Sequence, residues 1–216
     1  KVSSNIQKFT ANSFTVEVEK VLDINDKTAF VTHPKNEEFD AKKLTIYTQS
    51  GSVIKNLVPK KIDLPNSFTL QRNGGIKTII YSGQEVFALI SAKEKDCFFA
   101  LLTNIKNKRE LFKSECLPEK AKNNDFNGLG SSNLHVDGKI LFSIGTPEKH
   151  ASKNSLLAQD KNSKFGKILE IDKNQLNKDQ KVEVKVFSMG HRVPQGLTKL
   201  RNQIFAVEHG PKGGDE

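Results

Sequence analysis

The feature that most limits what this chain can become is its punctuation. Short apolar runs alternate with turn signals roughly every 8–12 residues, from Phe14 to Val207. Phe14–Leu22 alternates Phe-Thr-Val-Glu-Val, with Phe14, Val16 and Val18 on one face, the pattern of a half-buried strand. The same logic predicts strands over Thr28–Thr32, Leu44–Tyr47, Ser52–Leu57, Phe68–Gln71, Lys77–Tyr81, Glu85–Ile90, Cys97–Asn104 and Arg109–Cys116. Further on it predicts Ser131–Val136, Lys139–Ile144, Lys167–Ile171, Val182–Phe187, Leu197–Leu200 and Gln203–Val207. Gln49-Ser50-Gly51, Asn73-Gly74-Gly75, Ser82-Gly83 and Asp137-Gly138 supply the breaks, and Asp-Gly is a strong hairpin signal. Thr146–Asn162 is a long polar segment with room for a helical turn near Leu156–Gln159, and Asp172–Gln180 reads as a loop or short helix. No long amphipathic helix is predicted. The fold class is all-β, and the pattern alone fits a sandwich, a barrel or a propeller.

Two cysteines, Cys97 and Cys116, lie on the two arms of one predicted hairpin, with Ile105–Lys108 as its loop. In simple register Asn104 faces Arg109 and Cys97 faces Cys116. Directly opposed strand residues are close enough for a disulfide, so one is predicted. A one-residue slip would place the thiols on opposite faces. A disulfide implies an oxidising compartment, periplasmic or secreted. Two thiols without nearby histidines make half a zinc site at most.

Charge narrows the partners. The chain has 34 basic and 25 acidic residues, for a net charge of +9. The basic residues are scattered, with Lys42-Lys43, Lys60-Lys61 and Lys108-Arg109 as adjacent pairs, and no basic run or aromatic-plus-basic interleaving marks a nucleic-acid surface. No apolar run reaches the ~20 residues of a membrane-spanning helix. The chain begins at Lys1 and its one methionine is Met189, so the start is expected to be a processed or trimmed one.

The chemistry concentrates between Ser188 and Glu216. Two Gly/Pro-rich turns flank the apolar run Gln203–Val207. The first is expected to present His191, Arg192 and Gln195, and the second Glu208, His209 and Asp215. A cation, an imidazole and exposed carbonyls on adjacent loops suit an anionic cofactor and a hard cation. Two ordinary inter-strand loops are the simpler alternative.

These stretches, Gly190-His191-Arg192-Val193-Pro194-Gln195-Gly196-Leu197 and Glu208-His209-Gly210-Pro211-Lys212-Gly213-Gly214-Asp215-Glu216, resemble the soluble quinoprotein glucose/sorbosone dehydrogenase family. Further upstream, Asp137–Gly145, Ala158-Gln159-Asp160 and Phe165-Gly166-Lys167-Ile168-Leu169 resemble the same family, so the likeness runs from about Asn127 to Glu216. The resemblance implies a six-bladed β-propeller. The strands here fill about three blades at four strands each, roughly half of the ring. Residues 1–216 are then a single propeller domain that is expected to continue beyond Glu216.

The resemblance also implies a reaction: oxidation of an aldose sugar or related alcohol with pyrroloquinoline quinone (PQQ), calcium and an external electron acceptor. By position, Arg192, His209 and Gln195 correspond to cofactor contacts, and the backbone carbonyls of Gly210 and Pro211 to calcium ligands. Glu208, Asp215 and Glu216 add negative charge nearby. The family's catalytic histidine falls near Asn127, and an Asn cannot accept a proton at neutral pH. His150, in the long polar loop, is the candidate substitute; His135 is expected to face solvent, and His33 to be a surface histidine. Two further positions depart from the family pattern: Val193 stands for an Asn, and Gly145-Thr146 for Gly-Asp. The alternative is therefore a non-catalytic propeller that kept the scaffold as a binding module, as in the hedgehog-interacting proteins that resemble the same family.

Overall fold

The run Cys-Phe-Phe-Ala-Leu-Leu-Thr-Asn, apolar on both faces, has to be covered on both sides, and the architecture follows from that need. The computed structural model describes residues 6–11, 14–20, 22–118, 132–146 and 155–209. Its strands are β1 (Ile6–Ala11), β2 (Phe14–Glu19), β3 (Thr28–Thr32), β4 (Thr45–Thr48), β5 (Ser52–Lys55), β6 (Val58–Lys61), β7 (Ile76–Ser82), β8 (Glu85–Glu94) and β9 (Cys97–Asn104). They continue as β10 (Glu110–Lys113), β11 (Leu117–Pro118), β12 (Asn133–Val136), β13 (Lys139–Ile144), β14 (Lys167–Asp172), β15 (Lys185–Met189), β16 (Pro194–Leu200) and β17 (Gln203–Glu208).

Three antiparallel meanders, β3–β6, β7–β10 and β12–β15, follow one another in sequence order. The hairpins β1–β2 and β16–β17 flank them, and β11 pairs with β9 beyond the end of β10. The first strand of each sheet lies beside the first strand of the next: β3 by β7, β7 by β12, β12 by β16. Sheets of four strands with their first strands gathered in this way are the blades of a β-propeller.

The middle blade is covered on both faces. Strand alternation sends Phe87, Leu89, Phe98, Ala100 and Leu102 into one core, where they meet Ile140, Phe142, Ile144, Phe165 and Leu169 of the third blade. Their neighbours Ala88, Ile90, Phe99 and Leu101 enter a second core with Tyr47 and Ile79, joined by Phe30 and Val53 of the first blade. Phe87, Phe98, Phe142 and Phe165 are fully buried, and each contributes about 1.5–3 kcal/mol by leaving water. Side chains also bond across blade boundaries: the Asn133 amide donates to Thr78 Oγ1 and to the Ile79 carbonyl, both at 2.8 Å, and the Ser143 hydroxyl to the Pro194 carbonyl at 3.0 Å.

The structure refines several expectations. Lys139–Ile144 is a strand as predicted, entered through Asp137 and Gly138, both at positive φ (49° and 78°), as a tight hairpin turn requires. Phe68–Gln71 is not a strand: Phe68 forms a single bridge to Ala92, and a 3₁₀ turn follows over Gln71–Asn73. The predicted Ser52–Leu57 strand ends at Lys55 as β5; Asn56 and Leu57, both at positive φ, turn the chain into β6, a strand that was not predicted. The disulfide Cys97–Cys116 is present, but not in the simple register. Glu110 faces Thr103, a bulge then shifts Phe112 onto Leu102, and Pro118, not Cys116, lies opposite Cys97. Cys116 falls between β10 and β11, off the ladder, so the slips do not turn its thiol away from Cys97. Among the described residues, no helix is long and apolar enough to cross a membrane.

Candidate functional site

Antiparallel strand order brings the distinctive loops to one end of the blades. The β13–β14 connection, the β15–β16 connection and the end of β17 all emerge at that end. The β15–β16 connection is Gly190–Val193, and three neighbours fix it. Gly190 N donates to the carbonyls of Ala158 at 3.0 Å and Gly166 at 3.1 Å, and His191 N to Gly166 at 3.1 Å. Thr146 donates from its backbone N to the Arg192 carbonyl at 2.7 Å and from its hydroxyl to the His191 carbonyl at 2.9 Å. Gly166 must be glycine, since its φ is +67° and a Cβ there would lie 2.5 Å from Ala158 Cβ.

Glu208, the last residue of β17, ties the turn from the other side. One carboxylate oxygen accepts from His191 Nδ1, and the other accepts the Arg192 backbone N–H at 2.9 Å. A carboxylate without a proton can only accept, so His191 Nδ1 carries the hydrogen. His191 Nε2 lies 2.8 Å from Ser188 Oγ, and in the neutral ring it accepts the hydroxyl proton. The order carboxylate, imidazole, hydroxyl is that of a nucleophile relay. Here it reads as a positioning chain, because the Gly190 and His191 amides beside it are already donating to Gly166 and offer no oxyanion hole. Arg192 is half-buried as a residue, and its guanidinium donates through Nη1, at an exposed position, to the His209 carbonyl at 3.3 Å. His209 N in turn donates to the Val193 carbonyl at 3.1 Å.

The structure thus brings Arg192 and His209 together, as the sequence predicts. Gln195 is not a turn residue: it lies within β16, exposed, at a bulge between the pairs Pro194–Glu208 and Gly196–Val207. Glu208 is not spare negative charge, since both of its oxygens are engaged. Thr146, a departure from the family pattern, is buried and does a job an ionised Asp could not, donating to a carbonyl. His135 is exposed on β12, next to the turn at the opposite end. His33 is half-buried rather than a free surface residue: its Nε2 accepts from Asp40 N at 3.3 Å, its Nδ1 donates to the Pro34 carbonyl at 2.9 Å, and its ring stacks on Phe39. Asn127, His150, Gly210, Pro211, Asp215 and Glu216 lie outside the described residues.

One contributor escaped the sequence reading. Lys167, at the start of β14, is fully buried, and its ammonium donates to the carbonyls of Leu157 at 2.8 Å, Ala158 at 2.9 Å and Phe165 at 2.8 Å. Burial pushes its pKa down, and the charges of Glu115 and Asp160 pull back against that shift. The turn signals around it carried no hint that a lysine lay inside.

As a donor set, the site suits an anionic ligand. It offers the Arg192 guanidinium on a turn whose backbone is held by its neighbours, His209 beside it, and a Glu208 carboxylate whose two oxygens are already occupied by His191 and the Arg192 N–H. Among the described residues, no group of three or more His, Cys, Asp or Glu side chains is placed to hold a metal ion.

The fold is that of a β-propeller, with Arg192 and His209 side by side at its blade ends. The glucose/sorbosone dehydrogenase family model matches residues 69–216, and the chain belongs to that family. The match begins ahead of the second blade and takes in every residue of the site. Neither the curated proteins nor the solved structures gave a match.

Proposed function

We propose that this protein is a quinoprotein-type dehydrogenase that oxidises an aldose sugar or related alcohol, with PQQ and calcium as cofactors. The observation that carries this reading is the pinned turn. Glu208, Thr146 and Gly166 fix the backbone of His191 and Arg192, so the guanidinium sits beside His209 with little freedom to lose when an anion binds. The bound quinone would supply the hydride acceptor. Arg192 would hold its carboxylate or quinone oxygen through paired N–H groups, His209 would orient it, and Gln195 lies one residue beyond Pro194 at the same blade end. Gly210 and Pro211 would offer carbonyl oxygens to calcium. The disulfide and the family suit an oxidising compartment, periplasmic or extracellular.

A specific observation favours a second reading. By resemblance the family's proton-accepting histidine falls near Asn127, and an amide cannot take that role. A propeller that binds a ligand without turning it over follows if His150 does not replace it. Calorimetric titration with PQQ, with calcium and then with chelator, tests the cofactor site. Tight, calcium-dependent binding that Arg192→Ala weakens supports the dehydrogenase reading, and dye reduction across sugars then separates enzyme from binding module. No binding at micromolar PQQ rejects it.

A further inference from the structure

Among the described residues Lys167 is the charged side chain with no exposure at all. An ammonium has three protons to donate, and here each meets a backbone carbonyl, from Leu157, Ala158 and Phe165, at 2.8–2.9 Å. The oxygens form a cage of the type that hard cations occupy, filled by the chain's own cation. What distinguishes this from a local staple is where the cage leads. The Ala158 carbonyl is shared, accepting from Lys167 Nζ at 2.9 Å and from Gly190 N at 3.0 Å. The Gly166 carbonyl, one residue before Lys167, takes Gly190 N and His191 N. Gly166 also packs directly under Ala158, with no room for a side chain between them. The ammonium is therefore two hydrogen bonds from the turn that carries Arg192.

We propose that Lys167 is a positioning residue for the ligand site: its ammonium acts as an internal cation that holds the Leu157–Ala158 segment against Gly190 and so fixes the Arg192 turn. The cation rather than the alkyl stem is the active part, because without it the three converging carbonyls lose the charge that draws them together: Leu157 keeps only Asp160 N at 3.2 Å, Ala158 only Gly190 N at 3.0 Å, and Phe165 loses its ammonium donor. This inference rests on the reading of Arg192 as the anion contact, deepens it, and can fail separately from it.

The Lys167→Ala substitution removes three methylenes and the ammonium, the outline of n-propylammonium. In the full-length protein, K167A should lose amide-exchange protection at both Leu157–Asp160 and Gly190–Arg192. Its PQQ affinity should fall about 10–100-fold, the usual scale for a partner one shell out from a bound group. Millimolar n-propylammonium should restore both, and tetramethylammonium, which has no proton to donate, should restore neither. Loss of protection at Leu157–Asp160 with Gly190–Arg192 unchanged would overturn the proposal and leave a local staple. Recovery with tetramethylammonium would also overturn it, because the space and not the hydrogen bonds would then matter. If K167A does not fold, the wild-type protein still decides: a slowly exchanging lysine ammonium signal, coupled to carbonyl carbons, is expected, and its absence sinks the cage. Wild-type protein that binds no PQQ while exchange at Gly190–Arg192 still responds to K167A and propylammonium would reject the dehydrogenase reading and keep the positioning role.

Discussion

Glu208 accepts the backbone N–H of Arg192 at 2.9 Å, across the space between two strands that are neighbours in one hairpin. Its second oxygen holds His191, so one carboxylate sets both the backbone and the imidazole of the turn. Glu208→Ala should cost about 1–3 kcal/mol of stability, since it leaves part-buried donors unpaired. It should also weaken PQQ binding. Glu208→Gln keeps one acceptor oxygen and should fall between the two. Thermal melts and titrations of the pair check this, and an E208A protein with unchanged affinity would remove Glu208 from the site.

The inter-blade cores should dominate stability. Phe98→Ala empties a fully buried position and should cost about 3–5 kcal/mol. Phe205→Ala, at a side chain 45% exposed on β17, should stay within about 0.5 kcal/mol. Urea midpoints of the two variants, with equal slopes, would separate core from surface.

The disulfide spans 19 residues of sequence within one blade. Closing a loop of that size contributes about 3 kcal/mol, so C97S/C116S or full reduction should lower Tm by roughly 6–12 °C in a chain of this length. The blades themselves should persist, because the second blade's cores do not depend on the bridge. Melting curves with and without reductant read this directly.

Acid should act through Asp26. Burial works to raise its carboxyl, but hydrogen bonds from the Ser50 and Thr48 side chains and the Lys27 and Ser50 amides outweigh that and hold it below its ordinary value of 3.8. A carboxyl depressed in the folded state contributes stability that is present above its unfolded value and is lost as pH falls through the folded one. Asp26→Asn should remove that part of the acid dependence while lowering stability at neutral pH. Denaturant midpoints from pH 7 down past the carboxylate range, as a difference between wild type and D26N, show whether the slope disappears.

The meander was legible because turn chemistry and strand alternation are local. Asp137-Gly138 announced its hairpin, and the apolar run Cys97–Asn104 announced the strand β9. The strand β6 was hidden by Pro59, which reads as a break but is tolerated on a blade's outermost strand, where one edge needs no hydrogen bonds. The cysteine register failed by two slips, one at the Glu110–Phe112 bulge and one between Lys113 and Leu117, and neither leaves a mark that residue types alone reveal. In the site, the approach of the two Gly/Pro-rich stretches that carry Arg192 and His209 was legible. Glu208's hold on Arg192 and Lys167's burial were not, because each depends on partners that only the folded sheets bring within reach, and lysine is normally an outside residue.

Phe98 and Phe99 are covalent neighbours with separate allegiances. One belongs to the core shared with the third blade, the other to the core that meets the first. Peptide-bond adjacency along β9 is thus a poor guide to energetic kinship. Substitutions at these two positions should act almost as independent events, whereas Phe112 and Phe142, thirty residues apart in sequence and edge-on at 5.9 Å, should answer to each other. A chain laid out as blades lets two halves of its interior drift and repack on their own terms, with a single strand serving both.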